Sequence, residues 1–215
     1  MRFSTLPLIV LLAVPPCGAA AQQSSSALTT RSKGAPTAPV TVYEMLDFQC
    51  PYCRQFALET FRTIEKEYIT PGKVRWVFVN FPLTSIHANA VAAAGTALCA
   101  GRQGAFWPVH DLLYTYQAIW SPLKEPGAFF LSLADSAGIS KPKLLACVKA
   151  GTTVAEIRSE AEGAERAGAS STPTFYIEGG LLTGALPLAV FREVLDSIHT
   201  EKLRSRSTAK QPTAK

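Results

Sequence analysis

Two cysteines three residues apart are the strongest chemical feature of the chain. Cys50 and Cys53 frame the sequence Cys-Pro-Tyr-Cys, which follows an apolar strand pattern and begins a helical one. At a helix N-terminus, free backbone N–H groups and the positive end of the helix dipole favour a thiolate over a thiol. We expect Cys50 to be an exposed, reactive thiolate and Cys53, one turn into the helix, to face the core. Thiol–disulfide exchange needs this asymmetry, because one sulfur attacks and a sheltered partner resolves the mixed disulfide.

The residues between the two cysteines decide how far the thiolate is stabilised. The helix dipole supplies only about 0.3–1 kcal/mol, so a larger shift of the Cys50 pKa requires direct hydrogen bonds to its sulfur. Pro51 has no N–H, which leaves the backbone of Tyr52 and Cys53 as donors. Zinc binding or a purely structural pair is the alternative. Zinc needs four ligands, usually with a second closely spaced pair, and the sequence offers none, so redox chemistry without a metal is favoured.

Glu44 is a candidate proton acceptor for this chemistry. It lies six residues before Cys50, in the same apolar strand row as Val42 and Leu46. That placement predicts a buried carboxyl group, which is costly unless it has a partner or a task. We expect it to lie near Cys53 and to accept and return a proton during exchange. A carboxylate that points to solvent from a frayed strand is the alternative.

A second landmark is the segment 171–174, Ser-Thr-Pro-Thr, which directly precedes a predicted strand. Pro173 cannot donate a ladder hydrogen bond, so it belongs before the strand rather than inside it. A cis Thr172–Pro173 bond would present the backbone of Thr172 to an extended substrate beside the dithiol. The local pattern does not encode the isomer, since only about 5–6% of X–Pro bonds are cis.

The elements that must position these residues follow the order β-α-β, several helices, then β-β-α. Alternating or continuous apolar residues predict the strands, and apolar residues at helical spacing predict the helices. Gly179 and Gly180 predict a two-residue hairpin between the last two strands. The first βαβ unit should be a right-handed crossover. The predicted strands are 40–48, 74–81, 174–177 and 181–183, and the predicted helices are 50–68, 87–100, 105–117, 127–137, 141–149, 153–167 and 188–199.

Other features favour structural roles. The helix predicted over 153–167 carries four glutamates and two arginines with i,i+4 pairs, which indicates a solvated face rather than a paired-carboxylate site. Cys99 and Cys147 lie among the inserted helices, and we expect a structural disulfide that contributes about 4 kcal/mol by loop closure. Two buried free thiols are the alternative. For His87 and His110, which lie near apolar helix faces, a core or capping role is favoured over catalysis.

The two ends of the chain differ in composition from its body. An apolar run and an Ala-x-Ala pattern predict a signal peptide over 1–21, with a retained anchor or lipid attachment as less favoured alternatives, and 22–35 is predicted to be a flexible lead-in. Most of the net charge of +5 belongs to residues 201–215, which we expect to form a basic disordered tail. The body is therefore neutral and provides no evidence for nucleic-acid binding.

Together these residues resemble the DsbA-like thiol–disulfide oxidoreductases of the thioredoxin superfamily. The resemblance includes the spacing from Glu44 to Cys50, the Cys-Pro-Tyr-Cys sequence and the Thr-Pro-Thr-Phe segment that starts at Thr172. His87 and the run 103–111 match as well. The match extends over nearly the whole chain after the lead-in, and the combination is far more specific than Cys-x-x-Cys alone.

The resemblance implies the fold and the roles of the site residues. We expect an α/β thioredoxin fold with an inserted helical domain, in which Cys50 attacks, Cys53 resolves and Pro173 is cis beside them. Pro51, Tyr52, Thr172 and Pro173 are the expected substrate-binding residues. The implied boundaries are 36–83 plus 168–200 for the thioredoxin domain and 84–167 for the insertion.

The resemblance also implies extracytoplasmic disulfide chemistry. We expect a monomer, needing no cofactor, that introduces disulfides into unfolded or reduced secreted proteins in the periplasm and is re-oxidised by a membrane quinone-linked partner. Tyr52 departs from the most oxidising members, which have a histidine between their cysteines, and its neutral phenol predicts a lower potential. The alternatives are a reductase or isomerase that uses the same site, and a non-catalytic metal-binding or chaperone-like binding protein.

Overall fold

A mixed five-stranded sheet forms the centre of the computed structural model, which describes residues 28–209. The strands are β1 (Ser32–Lys33), β2 (Val40–Leu46), β3 (Val74–Asn80), β4 (Thr174–Ile177) and β5 (Gly180–Thr183). Their order is β1-β3-β2-β4-β5, with β2 and β3 parallel and the other neighbours antiparallel. The predicted α/β architecture is confirmed, whereas the predicted signal peptide lies outside the described residues.

One continuous helical segment joins β2 to β3, and further helices lie between β3 and β4. Because parallel strands need a crossover connection, the segment after β2 returns the chain across one face of the sheet. It consists of α1 (Pro51–Gln55), a π-helical turn (Phe56–Thr60), α2 (Phe61–Ile64) and a second π-helical turn (Glu65–Ile69). The remaining helices are α3 (Ala90–Gly101), α4 (Phe106–Thr115), α5 (Gln117–Trp120), α6 (Gly127–Ser136), α7 (Lys141–Lys149), α8 (Val154–Arg166) and α9 (Leu188–Ala209).

The alternation of side chains along β2 decides what covers each face of the sheet. Val40 and Val42 pack with Phe56 and with Phe191 of α9, so the crossover helix and the last helix cover the same face. Farther along that face, Leu46 joins the core of the inserted helices, which also contains both cysteines of the dithiol. The opposite face, with Met45, packs against α8. The dithiol therefore lies where the sheet meets the insertion.

The predicted flexible lead-in is wrong for the residues that the structure describes. Ser32 and Lys33 pair with β3 as an antiparallel edge strand. Arg31 is only 2% exposed, and its guanidinium pairs with Glu156 at 3.3 Å and with Glu160. The predicted solvated face of α8 is corrected as well, since Glu160 also accepts hydrogen bonds from the backbone and side chain of Asn80. Local composition could not predict the burial of Arg31, because its partner Glu160 is far away in the chain.

We expect replacement of Arg31 by methionine to destabilise the protein by about 3 kcal/mol, because it leaves two partly buried carboxylates without their cation. Urea unfolding at neutral pH measures the loss. Arg102→Met is the matched control, since Arg102 approaches the same Glu156 only at 4.0 Å and is 46% exposed. Its loss should stay below about 1 kcal/mol. Equal losses in the two variants would contradict a special role for the buried pair.

Two boundaries near the C-terminus also differ from expectation. The hairpin turn consists of Glu178 and Gly179 instead of two glycines, and Ile177 pairs with Gly180. Both turn residues have positive φ, +47° and +98°, as a type I′ turn requires. The final helix continues to Ala209, so residues 201–209 are helical rather than disordered, and 210–215 lie outside the described residues.

Candidate active site

The dithiol sits at the junction of β2 and α1, as the sequence predicts. Cys50 is the N-cap residue, with extended backbone angles of −70° and 125°, and Pro51 occupies the first helical turn, where its missing N–H costs nothing. Both cysteines are free thiols. Cys53 is fully buried, but Cys50 is only 4% exposed, so its expected exposure is wrong. The buried Thr172 lies beside it, with its carbonyl oxygen 3.5 Å from the Cys50 sulfur.

The two thiols have opposite acid strengths. The pKa of Cys50 is lowered to about 6, chiefly because the Cys53 thiol donates a hydrogen bond to its sulfur, while burial opposes the shift. The backbone N–H groups of Cys53 and Tyr52 lower it further, and these are the donors that the sequence singled out. Burial raises the pKa of Cys53 well above its ordinary value, and the neighbouring Cys50 sulfur adds to the effect. One sulfur is therefore a thiolate at neutral pH while its partner keeps a proton.

The structure brings the second landmark to the dithiol. The Thr172–Pro173 bond is cis, and the Cys50 thiol lies 3.5 Å from the carbonyl oxygen of Thr172. This contact joins residues that are 122 positions apart in the chain. Tyr52, by contrast, is 63% exposed and stands beside the site as a surface group.

Glu44 is buried, as its place in the strand pattern predicts. It is 1% exposed, and its Oε2 accepts a hydrogen bond from the indole N–H of Trp76 at 2.7 Å. Burial raises its pKa to about 8, although the Trp76 hydrogen bond and the charge of Lys33 act against the shift. The carboxyl group is therefore largely protonated at neutral pH. The negative charges of ionised Glu44 and of ionised Cys53 would each raise the pKa of the buried Tyr114. Glu44 and Cys53 therefore both lie within electrostatic range of the Tyr114 hydroxyl group.

We expect Glu44→Gln to stabilise the protein at alkaline pH. Above pH 4.5 an unfolded Glu44 loses its proton, whereas the folded protein retains it up to about pH 8, so wild-type stability falls as pH rises through that window. A neutral amide removes this loss, and relative to wild type the variant should gain about 4 kcal/mol between pH 4.5 and pH 8. Urea unfolding at the two pH values measures the difference, with exposed Glu59→Gln as the control. A pH-independent difference would show that Glu44 does not titrate in this way.

Two glutamine side chains that the sequence did not single out, Gln117 and Gln49, hold the backbone around the dithiol. Gln117 donates to the carbonyl oxygens of Phe48 and Cys50 at 2.7 and 2.9 Å. Gln49 donates to the Ser121 carbonyl oxygen, and its own amide oxygen accepts the backbone N–H of Asn89. These hydrogen bonds tie the active-site turn to the inserted helices. Glutamine and asparagine are common on surfaces, so sequence spacing offered no signal for them.

Of the other predicted residues, Cys99, Cys147 and His110 lie outside this network, whereas His87 reaches it through Asp47. Cys99 and Cys147 form a disulfide between α3 and α7, with a Cα–Cα distance of 5.8 Å. His110 is buried among aromatic rings of both the sheet and the insertion, including Phe78 and Tyr114. Its Nδ1 lies 2.8 Å from Asp111, and burial lowers its pKa. His87 contacts the buried carboxylate of Asp47 at 2.7 Å. Asp47, three residues before Cys50, is a further residue that the sequence did not reveal as part of the site.

Comparison with known proteins agrees with this geometry. A family model described as thioredoxin matches residues 26–197. The Na⁺/H⁺ antiporter NhaA 1 of Salinispora arenicola is 35% identical over 147 residues, which cover 68% of this chain and 21% of that protein. The chain therefore spans about a fifth of the length of this antiporter. Disulfide bond formation protein D of Bacillus subtilis is 25% identical over 169 residues, which cover 78% of this chain and 75% of that protein.

Solved structures show the same architecture. The crystal structure of α-DsbA1 from Wolbachia pipientis superimposes with a TM-score of 0.73 at 20% identity, covering 81% of this chain and 93% of that one. At this identity the similarity concerns the fold, and it includes the helices inserted between β3 and β4. Because the family model covers most of the chain, the protein belongs to the thioredoxin family and has the DsbA-like form of its fold, a thioredoxin fold with a helical insertion.

Proposed function

We propose that the protein is an extracytoplasmic thiol–disulfide oxidoreductase that introduces disulfide bonds into reduced, unfolded secreted proteins. The observation that carries this proposal is the unequal pair of thiols, in which the pKa of Cys50 is about 6 and that of Cys53 is raised. A sulfur that is stable as a thiolate is also a good leaving group, so a disulfide at this site is readily given to a substrate. The name of the Bacillus subtilis relative, a disulfide bond formation protein, supports the same direction.

In the proposed cycle, the oxidised protein carries a Cys50–Cys53 disulfide. A substrate thiolate attacks the Cys50 sulfur, the Cys50–Cys53 bond breaks, and Cys53 leaves and takes up a proton. A second substrate thiolate then attacks the substrate sulfur of the mixed disulfide, and Cys50 leaves as its stabilised thiolate. The substrate loses two electrons and the protein gains them. A membrane quinone-linked oxidase would restore the disulfide.

Glu44 is the proposed proton donor and acceptor for Cys53 in this cycle. Its pKa of about 8 makes it an acid that can release and recover a proton near neutral pH. Glu44 and Cys53 both act on the pKa of Tyr114, which supports their proximity, and the hydrogen bond that Glu44 itself accepts comes from Trp76. Substrate contact is assigned to Pro51 and Tyr52, which follow Cys50 in α1, and to Thr172 and Pro173, because the carbonyl oxygen of Thr172 lies 3.5 Å from the Cys50 sulfur.

Export through a cleaved leader over 1–21 and action as a monomer in the periplasm complete the proposal. Among residues 28–209, no helix combines the length and the apolar character that crossing a membrane requires.

Labelling of free thiols in cells that export the protein reports the direction of electron flow. A mostly oxidised Cys50–Cys53 pair is expected, and a mostly reduced pair would favour a reductase or isomerase instead.

The direct experiment supplies the oxidised protein to reduced, unfolded ribonuclease A without another oxidant. We expect one ribonuclease disulfide to form for each Cys50–Cys53 disulfide consumed, as counted by thiol labelling and mass spectrometry. Unchanged ribonuclease thiols after incubation with the fully oxidised protein would refute the oxidase assignment.

A further inference from the structure

Asp47 is a buried carboxylate at the centre of the turn that carries the dithiol. Its side chain is fully inaccessible to solvent. Oδ1 accepts the backbone N–H of Gln49 at 2.7 Å, and Oδ2 accepts the backbone N–H of Leu83 at 2.8 Å. Its carbonyl oxygen accepts the N–H of Cys50 at 3.1 Å. Asp47 therefore sets the path of the backbone into α1 and joins it to the loop that follows β3.

His87 supplies the remaining hydrogen bond to this carboxylate. Its Nδ1 lies 2.7 Å from Oδ2 of Asp47, and because a carboxylate only accepts, the ring nitrogen must carry the proton. Among the described contacts of Asp47, His87 is the side-chain donor that can also carry a positive charge. The His87 side chain is 14% exposed, so it lies between the buried carboxylate and solvent.

The position of the pair has a consequence for Cys50. A buried carboxylate is energetically unfavourable when it lacks hydrogen-bond donors, and a second negative charge nearby increases this penalty. Reduction of the dithiol creates such a charge on Cys50, only three residues from Asp47. A fully hydrogen-bonded Asp47 holds the turn in place and leaves the thiolate favourable. Loss of the His87 donor would therefore weaken the thiolate although His87 does not touch the sulfur.

We propose that His87 is a positioning residue for the dithiol, acting through Asp47 to hold the active-site turn and stabilise the Cys50 thiolate. This inference rests on the proposed thiol–disulfide exchange.

The test compares His87→Leu with His87→Asn in the full-length protein. Leucine removes the donor, whereas the Nδ2 amide of asparagine can replace Nδ1 and donate to Asp47. Equilibration with glutathione at pH 7 and titration of the thiolate absorbance at 240 nm are measured. We expect His87→Leu to shift the redox equilibrium about tenfold toward the disulfide and to raise the Cys50 pKa by about one unit. His87→Asn should remain within about threefold of wild type, and His199→Leu is the matched control on α9.

A double variant tests whether His87 acts through Asp47. In an Asp47→Asn background no carboxylate charge remains, so the His87→Leu substitution should change the equilibrium less than about twofold. An undiminished effect in that background would overturn the inference, as would a His87→Leu protein with wild-type equilibrium and titration. If the wild-type protein itself failed to equilibrate with glutathione, the proposed function would fail, which is a different result.

A measurement on the wild-type protein covers the case in which His87→Leu does not fold. The ring resonances of His87 and His199 are compared by NMR in the oxidised and reduced proteins. We expect those of His87 to shift on reduction and those of His199 to stay in place. Identical His87 resonances in the two redox states would refute the proposed coupling to the dithiol.

Discussion

Replacement of Cys50 by serine is expected to reduce disulfide transfer to reduced ribonuclease by about 1,000-fold or more. Without this sulfur no mixed disulfide forms, and the buried Cys53 is inaccessible to a substrate. Replacement of Cys53 should have a different outcome. A reduced Cys53→Ser protein still has the nucleophile but lacks the resolving thiol. When it is given ribonuclease with scrambled disulfides, the Cys50 thiolate attacks one of them and a ribonuclease sulfur leaves as a thiolate. We expect the resulting mixed disulfide to accumulate.

Non-reducing gel electrophoresis distinguishes the two variants, because only Cys53→Ser should form a covalent complex that a reductant dissolves. A double variant at Cys99 and Cys147 is the control for general loss of thiols, and it should retain transfer activity. A non-catalytic binding protein, in which the dithiol is only a contact surface or a metal ligand, would give a different result. Its Cys50→Ser variant would bind the substrate as well as wild type does, and neither variant would form a covalent complex.

The second large effect is the pH dependence of the reduced protein. The pKa of Cys50 is lowered from 9.0 to about 6, a change of about 1,000-fold in its ionisation constant. Alkylation of the reduced protein by iodoacetamide should therefore follow a titration with its midpoint near pH 6. The Cys53 thiol, whose pKa is raised, should stay unreactive through this range. A midpoint near 9 would remove the basis for the proposed direction of transfer.

The same shift links stability to pH with a definite sign. Because the folded-state pKa of Cys50 lies below its unfolded value, ionisation stabilises the reduced protein fully above pH 9. This contribution decreases by about 1.4 kcal/mol per unit as pH falls from 9 to 6 and is absent below 6. Unfolding of reduced wild type and reduced Cys50→Ser across this range measures it. Parallel stability curves would contradict the lowered pKa.

Sequence reasoning was sufficient where the chemistry is local. Cys50 and Cys53 belong to one helical turn, so the placement of the dithiol at a helix N-terminus follows from four consecutive residues. The burial of Glu44 follows equally from the two-residue period of β2, which assigns alternate side chains to the same face. The central sheet is also recoverable, since β2 and β3 are runs of apolar residues separated by a clear helical pattern.

Tertiary structure decided what depends on contacts between distant segments. Arg31 is buried because α8 provides its carboxylate partners. The contact of Cys50 with the carbonyl oxygen of Thr172 depends on a segment 122 positions away. The Asp47–His87 hydrogen bond joins two loops that are 40 positions apart. The placement of the dithiol at the start of a helix is set by adjacent residues, and the sequence determined it. The burial and pairing of a charge depend instead on which remote surfaces pack together, and only the folded chain specifies that through the sum of many weak contacts.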